Sequence, residues 1–254
     1  MTQLAFGALL AAAVAAAACG ARSLSLGGAI AAFATGTIAF GVGGWPAAAV
    51  LFAFFIPSTL LSRIGKSHKC ELVDVGKQGP RDEWQVLANG GVAAACVLLA
   101  LHFGVPLMVA FAGAFAAAAA DTWGTEIGTL VKGKPRSILT FAQIEPGISG
   151  GVTVVGSLAT AGGACCVALV AALVHLGPFL PIAVAGIAGG FLDSVLGASA
   201  QALRHCPACN VDCETNPHHC GTPTTLRRGL RWMENDGVNF AATLAGAVVA
   251  GVWR

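Results

Sequence analysis

Of the 254 residues, 56% are hydrophobic and only 10% are charged, against the roughly 25% charged residues of a soluble globular domain. With a mean hydropathy of +0.77, this composition excludes a water-soluble fold and describes a polytopic membrane protein. A net charge of +2 gives no footing for nucleic acid as a partner and suits anionic lipid headgroups or an anionic substrate better.

Apolar stretches of the roughly 17 to 25 residues needed to cross a bilayer occur at 2–19, 25–42, 44–61, 87–103, 106–123, 151–175, 179–200 and 237–253. They predict an all-α bundle of about 7–8 transmembrane helices forming a single integral membrane domain over residues 1–254, with a loop at 201–236 inserted before the last helix. Residues 2–19 have the apolar core of a signal peptide. No basic residue precedes Leu4, however, and the run is long, so it is read as a helix. No amphipathic transit segment precedes it, which makes a prokaryotic plasma membrane the simplest expected location and an organelle membrane the other.

Placing Arg22 and the segments 62–86, 121–150 and 201–236 on one side gathers there all but Arg254 of the 14 Lys and Arg residues. The positive-inside rule makes that side cytoplasmic or its equivalent. All 12 Asp and Glu residues lie in the same loops or, for Asp193, in the adjoining half of a helix. Any chemistry is therefore expected on one face.

The first polar loop carries the basic cluster Ser62-Arg63-Ile64-Gly65-Lys66-Ser67-His68-Lys69, an interfacial anchor or a phosphate contact, and then Arg81-Asp82-Glu83-Trp84-Gln85-Val86-Leu87-Ala88-Asn89-Gly90. Gln85 and Asn89 are one turn apart and share a helix face, where they serve either interhelical hydrogen bonding or a site.

The most informative stretch is Ala120-Asp121-Thr122-Trp123-Gly124-Thr125-Glu126-Ile127-Gly128. Ionisable groups at the end of a spanning segment are costly in lipid and are read first as a site. Carboxylates with hydroxyls are hard oxygen ligands suited to Mg²⁺. Asp121 and Glu126 are about 140° apart on a straight helix, so they converge only if the helix bends or unwinds near Gly124; alternatively Asp121 and Thr125 share a face. Ala120, Gly124 and Gly128 by themselves would suit helix packing.

Next come Lys134 and Arg136, then Gly147-Ile148-Ser149-Gly150-Gly151 at the start of a helix. Backbone N–H groups of Gly147, Ser149, Gly150 and Gly151 could cradle a phosphate there, although the spacing is not that of a Walker A loop; the bland alternative is a turn between helices. Asp193 lies inside an apolar run, as a site acid or the partner of a buried base. Asn235, Asp236 and Asn239 open the last helix and can converge on one face, with capping an equal reading for Glu234 and Asn235.

The loop at 201–236 holds Cys206-Pro207-Ala208-Cys209, Cys213 and His218-His219-Cys220. Such spacing suits a structural Zn²⁺, and the reducing side of the membrane disfavours disulfides. Cys206, Cys209, His219 and Cys220 are the expected ligands, with Cys213 and His218 as substitutes.

In combination, the motifs Trp84 to Gly90, Ala120 to Gly128, Lys134-Pro135-Arg136-Ser137, Pro146 to Thr153 and Asn235-Asp236-x-Val238-Asn239 resemble the transmembrane protein 19 family over nearly the whole chain. Its plant and cyanobacterial members include phytyl-phosphate kinase. The resemblance implies phosphoryl transfer from a nucleoside triphosphate, CTP preferred, to an isoprenoid monophosphate such as phytyl phosphate, for tocopherol and related prenyl lipids. Ile148 departs from the family pattern, which often has a hydroxyl residue there.

On this reading Asp121 and Glu126 hold Mg²⁺ with help from Asp193 or Asp236. Asn89, Lys134, Arg136, the glycine motif, Asn235 and Asn239 bind substrate. The isoprenoid tail lies in a lipid-accessible groove. The rival expectations are an ion or lipid transporter and a zinc-stabilised scaffold; a phosphatidyltransferase of the CDP-alcohol type is disfavoured because its Asp-x-x-Asp-Gly signature is absent.

Overall fold

The computed structural model describes residues 2–64, 79–131 and 133–253. Part of the basic cluster, at 65–69, and Lys132 lie outside them. The described chain forms α1 (Thr2–Gly20), α2 (Leu26–Thr37) continued by a π-helical turn (Ile38–Val42), α3 (Gly44–Ile64), α4 (Glu83–Phe103), α5 (Val105–Leu130), α6 (Val154–Leu173), α7 (Phe179–Ser199) and α8 (Asn235–Val252). Six of these, α1 and α3 to α7, are long and apolar enough to cross a membrane, and Leu26–Val42 is a shorter apolar helix. The all-α polytopic bundle is as the composition requires.

Helix α5 is the axis of the bundle and packs against α3, α4, α6, α7 and α8. Every residue from 109 to 120 along it is buried, most of them alanine. Between membrane helices the attraction comes mainly from close packing, and here the neighbours supply glycines opposite those alanines. A Cβ on Gly186 of α7 would lie 2.7 Å from the Ala116 Cβ, and one on Gly163 of α6 would lie 2.6 Å from the Ala119 carbonyl oxygen. Helices α1 and α2 pack together on the flank of α4.

Two helix limits differ from the apolar windows, both for polar reasons. Helix α4 starts at Glu83 rather than 87 because Asp82 and Gln85 form a capping box: the Asp82 carboxylate accepts from the Gln85 N–H at 2.9 Å, and the Gln85 side chain accepts from the Asp82 N–H at 3.1 Å. Helix α5 runs on to Leu130, beyond the apolar window that closes at 123, so the whole acidic motif occupies its last turns.

Small sheets complete the end of the bundle that carries the polar loops. β1 (Arg136–Ser137) pairs with β2 (Gly151–Val152), and β3 (Leu203–Cys206) lies between β4 (Val211–Cys213) and β5 (Thr225–Arg228), all antiparallel.

Candidate functional site

The acidic motif does not converge by unwinding. Helix α5 is continuous through Gly124, whose missing side chain makes room for the Thr160 hydroxyl of α6. Asp121 and Glu126 therefore point different ways, and two other segments join them.

Glu126 is buried, 6% exposed, and accepts a hydrogen bond from Ser62 Oγ of α3 at 2.8 Å. Arg81 donates from Nη2 to the same hydroxyl at 3.0 Å. Burial pulls the Arg81 guanidinium below its ordinary pKa, while the fields of Glu126 and then Asp121 hold its charge in place. Arg81 is itself fixed by the backbone: its N–H donates to the Ser23 carbonyl at 3.0 Å, and its carbonyl accepts from the Ser25 N–H at 2.9 Å. The turn between α1 and α2 thus presents the cation that links the two acids.

Asp121 turns towards α7, where its carboxyl lies within hydrogen-bonding reach of that of Asp193. Thr125 Oγ1 reaches Asp121 at 3.5 Å, a weak contact. Asp193 Oδ2 is buried with no hydrogen-bond partner among the described residues. Two touching carboxyls need a shared proton or a cation between them. Oxygen donors of this kind fit a hard divalent ion, and Asp121 with Asp193 are the residues that would hold one. Glu126, expected beside Asp121 as a magnesium ligand, bonds Ser62 through its Oε1.

The glycine motif has its own partner. Ser149 donates its backbone N–H to Glu214 Oε1 at 2.8 Å and its hydroxyl to Oε2 at 2.9 Å. Gln201 Nε2 donates to the same Oε2 and to Ser149 Oγ, both at 2.9 Å. An anion does sit on this turn, and it is a carboxylate of the 201–236 loop. Burial raises the Glu214 pKa, and the bonds from Ser149, the Arg228 charge and Gln201 oppose that rise. Gly147 and Gly150 have φ of +97° and +83°, which favours glycine. Any Cβ on Gly150 would also strike Ala198 at the end of α7. The first turn of α6 is capped separately, by Thr153 Oγ1 on the Gly156 N–H at 2.9 Å.

Arg136 is exposed and donates to the Phe141 carbonyl of its own loop at 2.8 Å, and Lys134 is exposed. The cation that reaches the acids is Arg81, one of several members of the site absent from the sequence expectation, with Ser62, Gln201 and Glu214. Their only sequence signal was position in the polar loops.

Two cavities border this region. An open apolar cleft with about 840 Å³ of space lies between α1, α2, α3 and α4, lined by Leu10, Leu51 and Phe55 and by the polar groups of Arg81, Gln85 and Asn89. A polar cavity of about 700 Å³ is lined by Gln85, Gln201, Glu214, Glu234, Asn235 and Asp236 among others. Gln85 lines both. Asn239, one turn below Asn235, is buried and its Oδ1 has no hydrogen-bond partner among the described residues. Glu234 is the N-cap residue of α8 but makes no side-chain capping bond.

The ligand atoms of Cys206, Cys209, His218 and Cys220 all lie within 4.8 Å of one another. Of the expected ligands this group keeps the three cysteines, and it takes His218, one of the named substitutes, in place of His219. His218, 2% exposed, points inward, whereas His219 stacks on it with ring centroids 4.0 Å apart.

Arg81 gives a direct test of this geometry. Arg81→Ala is expected to destabilise the protein by about 1–3 kcal/mol, since it removes the positive charge facing a buried carboxylate. Arg81→Ala with Glu126→Gln should regain part of that loss in thermal unfolding of the detergent-solubilised protein. A double variant no more stable than the single one would show that charge is not what Arg81 supplies.

The family described as integral membrane protein DUF92 matches residues 9–247. Protein PGR of Arabidopsis thaliana is 32% identical over 256 residues, covering 88% of this chain and 86% of its own. An uncharacterized membrane protein of Methanocaldococcus jannaschii is 30% identical, covering 79% and 73%, and one of Synechocystis is 25% identical, covering 86% and 78%. No solved structure matches the chain.

Proposed function

The chain belongs to the DUF92 family of integral membrane proteins, bearing out the family resemblance of its motifs, and we propose that it is a prenyl-phosphate kinase. It would transfer the terminal phosphoryl group of a nucleoside triphosphate, CTP by the resemblance, to phytyl phosphate or a similar isoprenoid monophosphate. The observation that carries the reading is that an apolar and a polar cavity share a wall residue, Gln85. The apolar cleft suits a long tail and has Arg81 on its wall as well, with the acids of α5 and α7 close by.

In the reaction a non-bridging oxygen of the acceptor phosphate attacks the γ-phosphorus. The bond to the β,γ-bridging oxygen breaks, a new P–O–P anhydride forms and the nucleoside diphosphate leaves. The attacking oxygen is already anionic, so no general base is needed; the demands are alignment and neutralisation of charge. Mg²⁺ held by Asp121 and Asp193 would neutralise the nucleotide phosphates.

The side chains do the rest. Arg81 retains donors beyond the one given to Ser62 and lines the tail cleft, where the acceptor phosphate would arrive. The apolar walls around a bound tail would exclude water there, which strengthens the guanidinium's hold on phosphate. Gln85 and Asn89 are fixed one above the other, since Asn89 Nδ2 donates to the Gln85 carbonyl at 2.9 Å. Glu214, Glu234 and Asp236 make the polar cavity acidic, which suits a triphosphate only when it carries a cation. Placement of the acids at one end of the bundle supports an enzyme over a transporter, whose polar residues should continue through the membrane.

The test uses membranes from a host lacking this activity, given phytyl or geranylgeranyl monophosphate, Mg²⁺ and γ-labelled CTP. Labelled prenyl diphosphate is the expected product. Absence of both product and nucleotide binding in folded protein would overturn the reading.

A further inference from the structure

We propose that Cys206, Cys209, His218 and Cys220 bind one tetrahedral Zn²⁺, and that this ion fixes the segment carrying Glu214 over the glycine turn. The inference goes beyond the kinase reading and does not depend on it.

The geometry is that of an ion's coordination shell. Zinc–sulfur and zinc–nitrogen bonds of about 2.3 and 2.0 Å put tetrahedral ligand atoms roughly 3.5–3.8 Å apart. The Cys206 and Cys220 sulfurs are 3.7 Å apart, His218 Nδ1 is 3.1 Å from the Cys220 sulfur, and no separation among the four exceeds 4.8 Å. A disulfide needs sulfurs about 2.05 Å apart, and all eight described cysteines are free.

Two tight turns bring the ligands in, each giving two. The first joins β3 to β4: the Asn210 N–H donates to the Cys206 carbonyl at 2.9 Å, with Asn210 at φ +54°, so Cys206 and Cys209 face the same way. In the second, the Gly221 N–H donates to the His218 carbonyl at 2.8 Å, with Gly221 at φ +81°, which turns His218 and Cys220 together. His219 lies between those two ligands in sequence; its exposed ring rests at a tilt against the His218 ring and is not one of the four clustered groups.

The consequence lies in the chain between the turns. β4 leaves the first turn and ends at Cys213; Glu214, Thr215, Asn216 and Pro217 follow, and His218 begins the second turn. Both ends of this segment are thus tied to the ion. All four of its residues line the polar cavity, and Glu214 is the carboxylate bonded to the Ser149 N–H and hydroxyl. Metal binding and the conformation of the glycine turn are coupled through that one segment.

The full-length protein, purified in detergent, is assayed for metal by elemental mass spectrometry and by the d–d absorption of the Co²⁺-substituted form. One zinc per chain is expected, with the absorption of a tetrahedral site bearing three thiolates. His219→Ala should keep the metal and His218→Ala should lower its affinity at least about 10-fold, as loss of one ligand requires. Folded protein without zinc, or the opposite behaviour of the two histidine variants, would overturn the ligand set. Hydrogen exchange on the same samples reads the coupling: removing zinc with a chelator should speed exchange at least about 10-fold in peptides containing Ser149 and Glu214. Unchanged protection in the zinc-free protein would overturn the control of the glycine turn.

Discussion

Asp121→Asn is expected to lower phosphoryl transfer by about 10³-fold or more while leaving the protein as stable as before, or more stable by about 1 kcal/mol. The two expectations come from one contact. Asp121 and Asp193 hold carboxyl against carboxyl, an arrangement that costs free energy through repulsion unless a proton or a cation lies between them. An amide keeps the shape, removes one charge and can donate a hydrogen bond to the remaining carboxylate, which offsets the attraction to Arg81 that the charge supplied. The same change removes a ligand from the cation that the nucleotide needs, and turnover falls. Activity at varied Mg²⁺ and thermal unfolding in detergent check the two halves. Retained activity would end the metal role of Asp121. Loss of activity together with loss of folding would make the residue a structural one.

Asp193→Asn should behave alike, since the pair acts as a unit, and the double variant should be little worse than either single one. The contrast with Arg81 is instructive: there the pairing is between opposite charges, and removal costs stability directly.

Hydropathy alone located the helices well, because each span must bury its backbone hydrogen bonds within itself and carry apolar side chains along its length. It placed the start of α4 too late because Glu83, Trp84 and Gln85 belong to a capping turn, which a window of apolar residues does not register. It also read 25–42 as one regular span, whereas the chain passes into a π-helical turn at Ile38–Val42. Gly41 there approaches the α1 backbone so closely that a Cβ would lie 3.2 Å from the Leu4 Cα. That fit depends on two helices at once and leaves no periodic trace.

The site was legible in kind but not in pairing. An acid within an apolar run is costly wherever its partner lies, so Asp121, Glu126 and Asp193 stood out from sequence alone. Their partners did not. Ser62, at the end of α3, and Arg81, in the segment that follows it, meet Glu126 from far along the chain, as Glu214 meets Ser149, and an ordinary Ser, Arg or Glu in a polar segment carries no mark of such a contact. The choice between His218 and His219 was likewise set by backbone direction in the Gly221 turn rather than by spacing, which fits either residue.

Narrowing the apolar cleft is expected to change which substrate is taken rather than whether phosphate is transferred. Leu51 lines the cleft on the same face of α3 as Phe55, about three turns before the Ser62 that bonds Glu126, and is only partly buried. Leu51→Trp would fill part of that space. Each CH₂ kept out of an apolar site forfeits about 0.8 kcal/mol, so excluding one five-carbon isoprene unit would cost up to about 4 kcal/mol, and partial rearrangement of the tail should leave a rise of about 10- to 100-fold in KM for phytyl phosphate. A five-carbon prenyl monophosphate, too short to reach Leu51 from Arg81, should be phosphorylated by the variant as by the unmodified protein. Such uniform binding of tail in ground and transition states predicts that kcat for the long substrate is nearly kept. An unchanged KM for phytyl phosphate would place the tail elsewhere, along the lipid-facing surface of the bundle. An equal loss for both chain lengths would mean that the substitution disturbs the reacting end, and that the cleft and the acids are more tightly coupled than their separation suggests.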